Sequence, residues 1–201
     1  GRPVVLYNVP GRTGIDLQPE TVAQLAKHEL VVGIKEATGD MERAARVREL
    51  CGPDFDLLSG DDGTILPFMS VGGHGVISVV SNLVPGHIAR LCAAASKGDL
   101  ETAQRLHAEQ LPLTRALFRA SNPIPVKYAM SLGGEMGGDL RSPLRPLDPQ
   151  GPVARELDEL EAVVVGVLSC RRRRLVVATA LGAHVDDIRP LNEIVDLLGA
   201  L

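Results

Sequence analysis

Short apolar runs alternate with amphipathic stretches along the first hundred residues. Val4-Val5-Leu6-Tyr7, Leu30 to Lys35, Phe55 to Ser59 and Gly75 to Val79 are rich in aliphatic and β-branched residues, and each breaks into turn chemistry. They read as strands. Between them the pattern turns helical. Pro19 opens a helix through about Lys27, and Asp40 caps one from Met41 to about Leu50. Asp61-Asp62 cap a third that runs into Gly72-Gly73, and Pro85 starts a fourth that ends near Ser96. Four strand–helix units in succession predict an α/β fold with a parallel sheet flanked by helices, and strands apolar on both faces agree with that. After Gly98 the strands stop. Asp99 to Leu117 reads as a helix bent or broken at Pro112, Asn122-Pro123 opens another through about Leu132, and a Gly/Pro-rich connector precedes a last helix from Val153 to about Leu168. The expected organisation is a β/α part over residues 1–98, a helical region over 99–166, and a tail from 167 to 201.

Composition narrows the class without naming a function. The 201 residues are 45% hydrophobic and 23% charged, with a formal net charge of −4, which argues against a nucleic-acid partner or an anionic membrane surface. Cys51, Cys92 and Cys170 lack metal-ligand spacing and read as reduced thiols of a cytoplasmic protein. The five histidines are scattered, so no zinc site is expected. The apolar run Ala162 to Leu168 is too short to span a bilayer. Because Gly1-Arg2 leads straight into a strand, the chain is expected to be a piece of a longer protein. The tail holds Arg171 to Arg174, an apolar stretch from Leu175 to Leu181 and an amphipathic segment from Leu191 to Leu198, and no function is assigned to it.

Candidate chemistry follows from the parallel architecture, which gathers functional groups at the carboxyl ends of strands. Those ends read Tyr7-Asn8, Lys35, Ser59-Gly60-Asp61-Asp62 and Ile77-Ser78, with Arg12 in the loop after the first strand. In the second strand alternation places Val31, Gly33 and Lys35 on one face and Val32 and Ile34 on the other. A desolvated lysine amine is a nucleophile towards carbonyl carbon, a tyrosine relays protons, and an arginine fork holds a carboxylate. Each has a plainer reading: Lys35 as the point where a strand meets water, Tyr7 as a solvated strand end, Arg12 as a surface arginine. Asp61-Asp62 read as helix caps rather than acid–base groups, and Gly72, Gly73 and Gly75 as a tight turn rather than a phosphate cradle.

Several motifs in register go further. Tyr7-Asn8-Val9-Pro10-Gly11-Arg12-Thr13-Gly14, Gly33-Ile34-Lys35-Glu36-Ala37-Thr38-Gly39, Leu58-Ser59-Gly60-Asp61-Asp62, Gly72-Gly73-His74-Gly75-Val76-Ile77-Ser78-Val79 and Asn122-Pro123-Ile124-Pro125-Val126-Lys127 closely resemble the dihydrodipicolinate synthase family, in order and separation, over roughly residues 3 to 166. The resemblance implies the C-terminal half of a (β/α)₈ barrel, four β/α units, followed by a helical region. It implies a Schiff-base lyase that condenses pyruvate with aspartate semialdehyde in the diaminopimelate route to lysine. Lys35 is then the Schiff-base lysine and Tyr7 the proton-relay tyrosine. Arg12 binds the aldehyde substrate's carboxylate, and Gly60 and Ile77 supply backbone around pyruvate. No metal and no cofactor are expected, and the full-length form is expected to be a homo-oligomer, a dimer or tetramer. The family's Thr-Thr pair, its second tyrosine and its lysine feedback site belong to a first half that this stretch does not match. Four strands with two open edges are expected to be aggregation-prone or to depend on another half. Two other readings stay open: another pyruvate aldolase of the superfamily, and a non-catalytic half-barrel module.

Overall fold

The computed structural model describes residues 1–134, 136–168 and 178–179. The strands are β1 (Val4–Asn8), β2 (Val31–Glu36), β3 (Asp56–Ser59), β4 (Gly75–Val76) and β5 (Ala178–Thr179), side by side in chain order. β1 to β4 are parallel. The helices are α1 (Pro10–Thr13), α2 (Pro19–Leu25), α3 (Met41–Cys51), α4 (Ile65–Ser70), α5 (Pro85–Ser96), α6 (Leu100–Leu117), α7 (Ile124–Leu132) and α8 (Pro152–Leu168), with 3₁₀ turns at Asp62–Thr64 and Val80–Asn82. Cys170, His184, the run Arg171 to Arg174 and the segment Leu191 to Leu198 lie outside the described residues.

The expected units form, with corrections that have physical causes. Asp40 caps α3 as read, accepting the Arg43 N–H at 3.0 Å, and Asp99 does the same for α6 through Thr102 at 3.1 Å. α6 is not broken at Pro112; one helix runs through it. The turn after β1 tightens into the short helix α1, for which Pro10 sits at the first position. The fourth strand is two residues long rather than five. Beyond it Ile77 donates its N–H to the Ser59 carbonyl at 2.9 Å, and the chain then curls into the Val80–Asn82 turn.

Simple alternation fails at the start of β2. The pairing runs Val4 to Val31 and then Val5 to Gly33, so Val32 bulges, and Val31 packs with Ile34 on the helix side instead of sharing a face with Lys35. The sheet also has a fifth strand. Ala178–Thr179, within the apolar stretch of the tail, pairs antiparallel with Val76 and Gly75, so one of the two edges expected to be open is occupied.

Two apolar clusters hold the elements. Under β1–β3, Ile34, Leu57 and Phe55 meet Val22 of α2, Ala44 and Val47 of α3 and Phe68 of α4. The second cluster gathers Val76, Ile65, Ile88, Leu91, Leu106, Leu117, Val126 and Leu157 around α5 and α6. The helices after Gly98 therefore share a core with β4 rather than standing apart from the β/α part. Each fully buried aliphatic side chain contributes roughly 1.5–3 kcal/mol.

Candidate active site

Register decides which side chains meet. Tyr7 pairs with Lys35, Lys35 with Leu58, and Leu58 with Gly75, so these four point to one face of the sheet. Two residues further along, Gly60 and Ile77 follow on the same face. The opposite face, with Leu6, Ile34, Leu57 and Val76, is the one buried under helices. Tyr7, Lys35, Gly60 and Ile77 are thus brought together at the carboxyl ends of four neighbouring strands.

The Lys35 Nζ lies 4.3 Å from the centroid of the Tyr7 ring. Such a contact favours the ammonium form modestly. Burial acts the other way, lowering the amine's pKa below the ordinary lysine value. The Asp62 carboxylate opposes that shift, and the Arg12 guanidinium adds to it. Desolvation raises the Tyr7 hydroxyl, with Arg12 pulling against it. Arg12 sits on exposed α1, and its Nη1 donates to the Asn122 carbonyl at 3.2 Å, tying the loop after β1 to the start of α7. Its charge acts on both Lys35 and Tyr7.

Gly60 is required by space. A Cβ there would sit 2.5 Å from the Ala37 Cβ and 3.0 Å from the Lys35 Cε, so any side chain would displace the lysine stem. Its N–H is already donated to the Glu36 carbonyl at 2.7 Å, which carries the strand pairing one residue past Ser59.

The reading of Asp61-Asp62 as caps of their own helix is corrected. Neither carboxylate caps the Asp62–Thr64 turn. Asp61 accepts the Thr64 hydroxyl at 2.7 Å. Asp62 is fully buried and accepts from the Ser78 hydroxyl, the Val79 N–H at 2.8 Å and the Val80 N–H at 3.4 Å, so it caps the turn of the next unit. Burial raises its pKa, against the pull of those donors. Its own carbonyl accepts the Gln110 amide of α6 at 2.9 Å.

Sequence reasoning also assigned no role to Glu36 and Asn8. Glu36, 1% exposed, accepts the Asn8 amide at 3.0 Å and the Thr38 N–H at 2.8 Å. A carboxylate directly after a strand-end lysine was the available signal. Gly72, with φ of +99°, and Gly73 form the tight turn before β4 as read. Among the described residues no group of three or more His, Cys, Asp and Glu could hold a metal ion, and no helix is long and apolar enough to cross a membrane.

The fold and site define a parallel α/β protein with a desolvated lysine at a strand's carboxyl end and a tyrosine ring against it. A family model, the Dihydrodipicolinate synthetase family, matches residues 1–159. The chain is 53% identical over 149 residues to the 4-hydroxy-tetrahydrodipicolinate synthase of Oleidesulfovibrio alaskensis, covering 74% of this chain and 51% of that protein. Against the synthase of Methanococcoides burtonii it is 52% identical over 149 residues, again 74% of this chain and 51% of the relative. Among solved structures, the synthase of Methylacidiphilum fumariolicum superposes with a TM-score of 0.78 at 39% identity, covering 83% of this chain and 55% of the other. The Acinetobacter baumannii enzyme, described as chloride-inhibited and complexed with pyruvate, gives 0.76 at 38%, with 82% and 56% covered. The chain belongs to the Dihydrodipicolinate synthetase family. It spans about half the length of the curated relatives it matches.

Proposed function

We propose that this chain carries the nucleophile-bearing half of a 4-hydroxy-tetrahydrodipicolinate synthase, and that Lys35 is its Schiff-base lysine. The observation that carries the reading is a lysine whose amine is desolvated, stacked on Tyr7 and overlooked by an arginine, in a chain of this family. Burial favours the neutral form of the amine, which attack on a ketone needs.

In this reading the Lys35 nitrogen adds to the pyruvate ketone carbon, and water leaves to give the iminium. Loss of a proton from the methyl carbon gives the enamine, and that carbon bonds to the aldehyde carbon of aspartate semialdehyde. The new oxygen takes a proton, for which Tyr7 is the relay. The substrate's own amine then attacks the iminium carbon, closes the ring and frees Lys35, releasing 4-hydroxy-tetrahydrodipicolinate. Arg12 would hold the aldehyde substrate's carboxylate, and its guanidinium charge makes it fit for that. Gly60 and Ile77 would line the pyruvate position with backbone. The chemistry calls for no cofactor.

The finer architecture belongs to the same reading. Residues 1–98 are the second half of a (β/α)₈ barrel, 99–166 its helical extension, and 167–201 a tail without a counterpart in the family. The complete protein is a cytoplasmic homo-oligomer. The thiols suit a reducing compartment: Cys51 and Cys92 are free, and burial pushes Cys92 up to about 12.

Borohydride reduction with labelled pyruvate tests the assignment, on the chain alone and completed with the remaining β/α units of a synthase relative. The expected result is one pyruvate-derived adduct on the peptide containing Lys35, abolished by Lys35→Ala. Label elsewhere, or none in the completed protein, would sink it. Offering sugar-derived aldehydes beside aspartate semialdehyde as acceptors tests the part given to Arg12, whose replacement should raise the KM for the semialdehyde and spare pyruvate trapping.

A further inference from the structure

A loop closed on itself begins and ends at Asn8. The Asn8 amide nitrogen donates to the Asp16 carboxylate at 3.0 Å, and its carbonyl oxygen accepts the Leu17 N–H at 2.9 Å. One side chain at the end of β1 thus holds both the departure and the return of the segment that carries α1 and Arg12. Arg43 of α3 fastens the return from the other side, donating to the Leu17 carbonyl at 3.0 Å and pairing with Asp16. Gln18 adds a bond to Asp16 at 2.8 Å.

Glu36 and Asp16 together orient the Asn8 amide, Glu36 from the buried side. Amide nitrogen and oxygen differ only in hydrogen bonding, and an acceptor-only group fixes which end is which. The Glu36 carboxylate accepts the same Asn8 nitrogen at 3.0 Å, so that nitrogen bridges Glu36 and Asp16 and leaves the oxygen turned to Leu17. Asn8 pairs with Glu36 in the register that also pairs Tyr7 with Lys35. The second Glu36 oxygen takes the Thr38 N–H, closing the turn that follows Lys35.

We infer that Glu36 is a positioning residue: buried behind Lys35, it orients the Asn8 amide together with Asp16 and through it sets the loop that carries Arg12. It touches none of the reacting atoms; its effect reaches the site through Asn8. The inference rests on the proposed function for what Arg12 does, but not for where Glu36 places it.

Glu36→Gln keeps the shape and turns one acceptor into a donor, which must then face the Asn8 nitrogen or the Thr38 N–H. The Asn8 amide then keeps only Asp16 and the Leu17 N–H to hold its orientation. The experiment is hydrogen exchange of residues 9–17 in the chain, together with pyruvate trapping and steady-state kinetics in the completed protein. Exchange in the loop should rise about tenfold with α5 and α6 unchanged, and the KM for the carboxylate-bearing aldehyde should rise by roughly tenfold, with kcat moving less. Asp16→Asn, at the half-exposed end of the network, should loosen the same amides if Glu36→Gln fails to fold. The pair Asn8→Asp with Glu36→Gln restores a bond between the strand ends and removes the donor to Asp16, so pyruvate trapping should stay intact while the KM stays raised. Exchange over 9–17 unchanged in a folded Glu36→Gln overturns the inference, whatever Asp16→Asn does, and so does loosening spread evenly over every element. If the unsubstituted protein takes no pyruvate at Lys35, the synthase reading falls, and the exchange measurement still decides the role of Glu36.

Discussion

Glu36 and Asp62 are two buried carboxylates on either flank of Lys35, and they are satisfied by different parts of the chain. Glu36, next to Lys35 in β2, takes one side-chain amide from β1 and one N–H from its own turn. Asp62, two residues past Gly60, takes a hydroxyl and two N–H groups from the segment after β4. One looks back along the sheet and the other forward. In each case a carboxylate at the rim fastens a neighbouring β/α unit, so that Tyr7 on one side and Ile77 on the other hold their places relative to the lysine. The difference lies in charge. Asp62 acts directly on the Lys35 amine, holding its pKa up against burial, while Glu36 reaches the site through hydrogen-bond direction. The two acids are structural before they are chemical.

Breaking the forward carboxylate should cost most. Asp62→Ala strands a hydroxyl and two backbone N–H groups in a dry site, and denaturant unfolding should show a loss of about 3–5 kcal/mol. A loss under about 1 kcal/mol would mean that water reaches those donors, and the comparison would collapse. Glu36→Ala strands fewer groups, because the Asn8 nitrogen keeps Asp16, and about 2–3 kcal/mol is expected by the same measurement. Ser78→Ala removes one donor to Asp62 and leaves its two N–H partners, so roughly 1–2 kcal/mol is expected.

Acid separates the two sides more gently. Asp62 has its folded pKa raised, so between the ordinary aspartate value and that raised value the folded state holds a proton the unfolded state has lost. Its contribution to stability therefore falls as pH rises through that window. Asp16, on the Glu36 side, has its pKa lowered, first by the Asn8 hydrogen bond. The stability it gives is complete above the ordinary aspartate value and is lost as pH falls towards the lowered one. Hydrogen exchange followed down in pH should show residues 9–17 loosening before the Val79–Val80 amides. Simultaneous loosening would erase the distinction.

How far the sequence carries depends on how local each determinant is. The cap at Asp40 was legible because an aspartate and the N–H it accepts lie three residues apart. The rim of Tyr7, Lys35, Gly60 and Ile77 was legible because parallel strands must end together. The donors chosen by Asp62 lie 16 to 18 residues downstream, and nothing near Asp61-Asp62 distinguishes that choice from an ordinary cap. The bulge at Val32 escaped for a similar reason: it is a property of the pairing between β1 and β2, and Val31-Val32-Gly33 alone is equally consistent with regular alternation. Short elements such as α1 and the Val80–Asn82 turn have no periodicity to read.

The antiparallel set of β5 gives the sheet a direction of growth. With Ala178–Thr179 seated on β4, a further strand running the same way as the first four finds its backbone partners beside β1, where Val4, Val5 and Tyr7 are exposed. A complementary strand that pairs there lies at the tyrosine side, next to the loop that carries Arg12, and would extend the floor under the lysine from that edge.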